Sequence, residues 1–267
     1  MFNEITLGQY YQTDSVIHRL DPRVKLIATL AYIISLFIVN GWAGYVLAAL
    51  YLVIVISLSR VPFHYIVRGM KAVMFILLIT ILFNLFLTPG TPVWTLGPLT
   101  LTREGIVFAV KMAVRLTFLI FGSSLMTLTT TPNELTDAME SVMGPLKVLH
   151  VPVHEISMMM SIALRFIPIL MEETDKIMKA QIARGADFES RNLMKKIQSL
   201  VPLLVPLFIS AFRRANDLAM AMEARCYRGG EGRTKMKPLA YRGADAAAYV
   251  FLALYFASCI VLRILGM

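Results

Sequence analysis

The chain has 267 residues, 57% of them hydrophobic and only 16% charged, with a mean hydropathy of +0.68. This is too apolar for an ordinary soluble domain and points to a polytopic membrane protein. The net charge is +9, and the 2 cysteines, Cys226 and Cys259, exclude a disulfide framework and stand in no metal-ligand spacing.

The first apolar run begins at Val24 after 23 mixed residues, and no small-residue cleavage site follows it, so this span is expected to stay in the mature protein. Apolar stretches follow at 24–39, 45–58, 72–87, 106–128 and 246–262. Several are shorter than the ~20 residues that cross ~30 Å of hydrocarbon. Trp42, Tyr45 and Trp94 flank them and can extend them into the interface. Backbone groups in lipid must be satisfied within the segment, and no alternating barrel pattern is present, so the spans are expected to be helices. The fold class is therefore all-α, with about five transmembrane helices.

Arg19, Arg23 and Lys25 precede the first span, and Arg60, Arg68 and Lys71 fill the second loop. Arg103 and Arg263 lie on the other side, which predicts a cytoplasmic N-terminus and an external C-terminus. Lys111 and Arg115, one turn apart, fall inside the fourth span. They are read as snorkelling, binding lipid phosphate, or facing a partner. The organisation expected is an N-terminal membrane domain at 1–128 with four spans, a cytoplasmic segment at 129–244 with two long amphipathic helices, and a final span at 245–267.

The segment 129–244 holds 16 of the Lys and Arg residues, yet 155–171 and 197–212 within it are apolar. Pro168, Pro202 and Pro206, with Arg165 and Arg213-Arg214, fit helices tilted against the membrane or a partner better than two extra spans. His150 and His154 lie four residues apart, but Pro152 interrupts them and no acidic neighbours suggest a metal site.

The same segment contains two similar arms. At an offset of 41, Ala183-Arg184 falls on Ala224-Arg225, Ile177 on Leu218 and Ala180 on Ala221. Leu170, Ile177, Met178 and Ile182 in the first arm, and Phe208, Phe212, Ala215, Leu218, Ala219 and Met222 in the second, make helical stripes. Gly185 suits the left-handed residue that ends a helix, with Arg184 in the last turn where a cation complements the dipole. Cys226 replaces that glycine in the second arm, and Gly229-Gly230 follow, so the second helix is expected to stop about one turn later. The offset also sets Glu172-Glu173 over Arg213-Arg214, so these pairs bridge if the helices cross there. Two solvated charge clusters are the alternative.

Several runs, spread over nearly the whole chain, resemble the transmembrane T components of energy-coupling factor (ECF) transporters, the EcfT and CbiQ proteins. They are Asp14-Ser15 with the His18–Leu26 run, Thr130–Leu135, Ala163–Pro168, Gln181–Gly185 and Ala221–Arg225. The resemblance implies a non-catalytic scaffold in a prokaryotic plasma membrane. Its two coupling helices would end in Ala-Arg-Gly motifs that dock on two cytoplasmic ABC-type ATPases. A separate substrate-binding S component would sit beside it in the bilayer. On this resemblance, Ala183, Arg184 and Gly185, and Ala224, Arg225 and Cys226, are the ATPase-coupling residues, with Cys226 departing from the motif. Vitamins or other micronutrients, metal ions included, would be the cargo, and ATP with Mg would be bound by the partners.

No phosphate-binding Gly-rich loop ending in Lys-Ser/Thr is present, so no cofactor is expected on this chain. The principal alternative is a stand-alone secondary transporter, but no acidic residue stands in any of the five stretches. Nucleic acid is not an expected partner, because the positive charge follows from membrane orientation and lacks interleaved aromatics.

Overall fold

A computed structural model of the chain describes residues 9–71, 73–96, 99–186, 193–230, 236 and 238–266. The elements run α1 (Pro22–Ile38), α2 (Trp42–Ser59), α3 (Phe63–Lys71), α4 (Met74–Leu87), β1 (Pro92–Leu96), β2 (Leu99–Thr102) and α5 (Arg103–Thr129). They continue with α6 (Pro132–Val142), a short 3-10 turn (Gly144–Leu149), α7 (Val153–Ala183), α8 (Leu193–Ala224) and α9 (Gly243–Ile264). Two compact units are present, one within Met139–Pro238 and the other within Gly8–Ala138 and Leu239–Met267.

The second of these units contains α1 to α5 and α9, of which α1, α2, α4, α5 and α9 coincide with the five apolar stretches. By length and composition α2, α5, α7 and α9 can each cross a membrane, and α3 and α4 are long and apolar enough only when taken together, with a bend of 64° between them. No residue of α4 is buried, and Phe75 and Leu78 are exposed, as lipid-facing side chains are. The protein is an all-α polytopic membrane protein. Only α4 carries the third apolar stretch. His64, Arg68 and Lys71 of α3, at helical spacing, make it a separate amphipathic helix. The antiparallel β1–β2 hairpin pairs Leu96 with Leu99 and Pro92 with Thr102, and the sequence reading did not predict it. Gly97-Pro98 in the sequence between the strands is a turn-favouring dipeptide. The Trp94 side chain lies outside the described residues.

The core of this unit is three matched stripes. Tyr32 and Leu36 with Val39, then Tyr45, Ala48 and Leu52, then Leu252, Tyr255 and Cys259 recur at three- and four-residue spacing on α1, α2 and α9. Tyr51 stacks on both Tyr32 and Tyr255, with ring centroids 5.5 and 4.2 Å away, and those two rings lie 6.1 Å from each other. Ser35 Oγ lies 2.7 Å from the Tyr255 hydroxyl. Gly122 of α5 faces the Tyr32 ring, where an added Cβ would sit 2.8 Å from it.

Polar clamps fix both ends. Asp21 caps α1 by accepting from the Arg23 N–H, and Pro22 takes the first helical position, which needs no donor. The Asp245 carboxylate, 1% exposed, accepts from the Asp21 N–H at 2.8 Å and the Arg242 N–H at 2.6 Å. It therefore joins the N-terminal ends of α1 and α9. At the other end Arg263 donates to the Ile38 carbonyl at 3.4 Å, so α1 and α9 run parallel. Lys25 donates to the carbonyls of His18 and Thr129, and Arg115 donates to that of Val39, so α5 runs antiparallel to α1.

Candidate partner-docking site

The unit within Met139–Pro238 is organised around α7 and α8. Pro168 is inside α7 and Pro202 and Pro206 are inside α8, yet each is one continuous helix, of 31 and 32 residues. The Gln181 amide donates to the Pro202 carbonyl at 3.4 Å. Further along, Glu173 meets Ser210 and Arg214, and Ile162, Phe166 and Leu170 face Ala215, Leu218 and Met222 across a groove. Paired positions therefore move in opposite directions along the chain: the helices are antiparallel. Beyond the end of α8 the backbone of Gly230 packs against the His154 ring at the start of α7.

His154 is itself held by α6. Its Nδ1 lies 2.9 Å from Glu140 Oε1, and the Ser157 hydroxyl donates to Glu140 Oε2 at 3.0 Å. One carboxylate of α6 thus holds two side chains of the first turns of α7.

The stripes read from the sequence divide between two faces. Leu170, Ala215, Leu218, Ala219 and Met222 line the interhelical groove. Phe208 and Phe212, 60% and 69% exposed, do not. They continue an outward stripe with Val201, Leu204 and Val205, all exposed at three- and four-residue spacing. One amphipathic pattern was expected where α8 carries two apolar faces.

Of the four charged residues at the offset match, Glu173 and Arg214 form an ion pair at 2.8 Å, and the Ser210 hydroxyl donates to the same carboxylate at 2.5 Å. Glu172 and Arg213 are exposed. Ser210 was not singled out from the sequence, because a hydroxyl one turn before Arg214 carries no signal until the helices are placed together.

The two helix ends have the same construction. In the first, Arg184 is the C-cap, Gly185 has φ of +87°, its N–H donates to the Ile182 carbonyl, and the Ala186 N–H reaches back to the Gln181 carbonyl. In the second, Arg225 holds the cap position, Cys226 has φ of +57°, its N–H donates to the Glu223 carbonyl, and the Tyr227 N–H donates to the Met222 carbonyl. Both are Schellman motifs, which satisfy the last carbonyls of a helix through one left-handed residue. The expected later stop is corrected: α8 ends at Ala224, and Cys226 takes the left-handed conformation without a glycine. Ala183, Arg184 and Gly185, and Ala224, Arg225 and Cys226, are all exposed.

The antiparallel pairing puts these ends far apart. Counting about 26 residues along α7, at ~1.5 Å of rise each, the two arginines stand roughly 40 Å from one another. Each guanidinium projects at a helix C-terminus, where its charge complements the local dipole and its five donors fit a carboxylate.

A family profile described as CbiQ, cobalt transport protein, matches residues 13–236. A Clostridium kluyveri protein named energy-coupling factor transporter transmembrane protein EcfT is 56% identical over 250 residues, 93% of each chain. Proteins of the same name from Thermosediminibacter oceani and Bacillus subtilis are 52% and 46% identical, covering 97% and 98% of this chain and 98% and 100% of their own. Matches of this extent, over both helix-end motifs and every span but the last in the family profile, place the chain in the CbiQ/EcfT family of transporter transmembrane components.

Proposed function

We propose that this chain is the non-catalytic scaffold of an ECF-type importer, in which α7 and α8 couple two cytoplasmic ABC-type ATPases to a substrate-binding S component. The observation that carries the reading is the pair of identically built, exposed arginine ends at opposite ends of one antiparallel helix pair. One ATPase subunit at each end would accept one guanidinium on a carboxylate. ATP and Mg would then be held by those subunits, and movement between them would be carried along the α7–α8 pair.

The membrane arrangement supports the same reading. Thr129 and Asp245 lie at the same end of their unit, with Lys25 and Asp21, so the chain between them crosses a bilayer an even number of times. α7 is long and apolar enough to cross, whereas α8, with Arg213-Arg214 at mid-length, is not among the candidate spans. On this reading neither crosses, so that both arginine ends are on the N-terminal side, taken as cytoplasmic on the excess of Lys and Arg there. The outward apolar stripe of α8 is the face offered to the bilayer or to the S component, which selects a vitamin, another micronutrient or a metal ion.

The test is copurification from membranes that also produce the ATPases. Wild type should bring down two ATPase subunits. Arg184→Glu and Arg225→Glu should each weaken binding by roughly 30-fold or more, as expected when one member of a buried charge pair is reversed. The double variant should lose the ATPases and ATP-dependent uptake while retaining its membrane fold. Full coupling in the double variant would reduce both arginines to helix caps and favour a stand-alone carrier.

A further inference from the structure

Lys111 and Arg115 serve no purpose in the coupling just described, and their surroundings assign them another. Lys111 Nζ donates to the Asn40 carbonyl at 2.8 Å, and Arg115 Nη2 donates to that of Val39 at 3.3 Å. Arg263 of α9 donates to the Ile38 carbonyl at 3.4 Å. Three cations from two helices thus reach three successive carbonyls, Ile38 to Asn40, at the end of α1.

A helix C-terminus carries only about half an elementary negative charge, so capping accounts for a minor part of three positive charges. Among the described residues no carboxylate pairs with Lys111, Arg115 or Arg263. α1 and α2 contain no acidic residue. Asp245 lies at the opposite end of α9 bound to Asp21, and Glu104, at the start of α5, is engaged by the N–H and hydroxyl of Thr91. The buried Nε of Arg115 has no hydrogen-bond partner among the described residues, and the guanidinium lies 5.6 and 6.0 Å from the Phe37 and Tyr45 rings.

Depth identifies the missing anion. α1 has 17 residues. At ~1.5 Å each it is about 25 Å long, several ångströms short of the ~30 Å hydrocarbon layer. A short span draws the interface inward, by local thinning or by snorkelling of flanking residues. Trp42 marks that interface, with its ring centroid 5.8 Å from Lys111 Nζ. The anions found at this depth in a bilayer are phospholipid phosphates.

We propose that Lys111, Arg115 and Arg263 form a binding site for an acidic phospholipid in the leaflet opposite the N-terminal segment, its phosphate on the cations at the end of α1. The site rests on the membrane fold and is independent of the coupling reading. The bound lipid offsets part of the cluster's charge and holds the bilayer thin around the α1–α2 turn.

The full-length protein, purified in detergent, is to be analysed by native mass spectrometry and thermal unfolding with phosphatidylglycerol, phosphatidylcholine or inorganic phosphate added. Wild type should retain phosphatidylglycerol and gain thermal stability from it. Phosphatidylcholine should be retained at least roughly tenfold less, and excess inorganic phosphate should not displace the lipid. Arg263→Gln combined with Lys111→Gln should lower retention by roughly tenfold or more, two surface cations being worth about 1 kcal/mol each toward an anionic headgroup. Arg263→Gln alone, at an exposed position, should lower it measurably and keeps the test usable if the double variant does not fold. Equal retention of the two lipids, or retention unchanged in these variants, overturns the proposal, and displacement by inorganic phosphate makes this a free-anion site instead.

Discussion

At the scale of the residue, the two helix ends separate backbone conformation from side-chain chemistry. Gly185 and Cys226 hold equivalent left-handed positions, but only Cys226 carries a Cβ there. The left-handed conformation costs a non-glycine residue roughly 1–2 kcal/mol, partly offset by the greater freedom of glycine in the unfolded chain. Cys226→Gly should therefore raise stability by about 0.5–1 kcal/mol, and Gly185→Ala should lower it by a similar amount. Nothing lies within 4 Å of the added Cβ at Gly185, so that cost is purely one of backbone strain. Thermal unfolding of the two purified variants measures both signs, and a Cys226→Gly protein less stable than wild type would contradict the account. One acceptor and one donor in His18's surroundings similarly select its state. Nε2 lies 3.0 Å from the Tyr11 carbonyl, which can only accept, so Nε2 carries the proton and Nδ1 accepts from the Ser15 hydroxyl at 2.7 Å. Burial pushes the His18 pKa below its ordinary value, against the opposing pull of the Tyr11 carbonyl. The unfolded chain then binds this proton first, so the contribution of His18 to stability is complete above about pH 6.5 and declines as pH falls through the folded pKa. Unfolding temperatures at neutral and mildly acidic pH should differ more in wild type than in His18→Gln.

At the scale of the element, α7 and α8 are held by an apolar groove, by the Gln181–Pro202 hydrogen bond and by Glu173 with Ser210 and Arg214. The Glu173–Arg214 pair is partly exposed, with side-chain exposures of 23% and 39%, so its coupling energy should be no more than about 1 kcal/mol. Glu173→Arg and Arg214→Glu should each destabilise the hairpin, and the double reversal should recover part of the loss. A double-mutant cycle with no recovery would leave the alignment of α7 and α8 to the groove alone. Two apolar faces on α8 require more of the sequence than one: Leu218 and Met222 serve α7, while Phe208 and Phe212 face outward. Periodicity located the helix but could not divide those faces, because residues of one hydrophobic class serve both.

At the scale of the whole molecule, the chain is closed by contacts between residues far apart in sequence. Asp245 accepts from Asp21, 224 positions away, and Lys25 donates to Thr129, 104 positions away. Asp245→Ala leaves the buried Asp21 N–H without its acceptor and should cost about 2–3 kcal/mol, because hydrogen bonds to a charged group are among the stronger ones. Denaturant or thermal unfolding checks this, and a neutral effect would mean that α9 is positioned by its apolar stripe alone.

The membrane class, the spans and the helical arms follow from hydropathy and periodicity, which are properties of neighbouring residues and legible without a fold. So do the arginine-bearing helix ends, since Ala183-Arg184-Gly185 and Ala224-Arg225-Cys226 carry local signals for a helix stop and an exposed cation. The antiparallel pairing of α7 with α8, the choice of Glu173 and Arg214 among four charged candidates, and the convergence of Lys111, Arg115 and Arg263 on α1 had no such signal. Each depends on which distant groups reach one another, and that is settled only when packing has fixed the positions and faces of the helices.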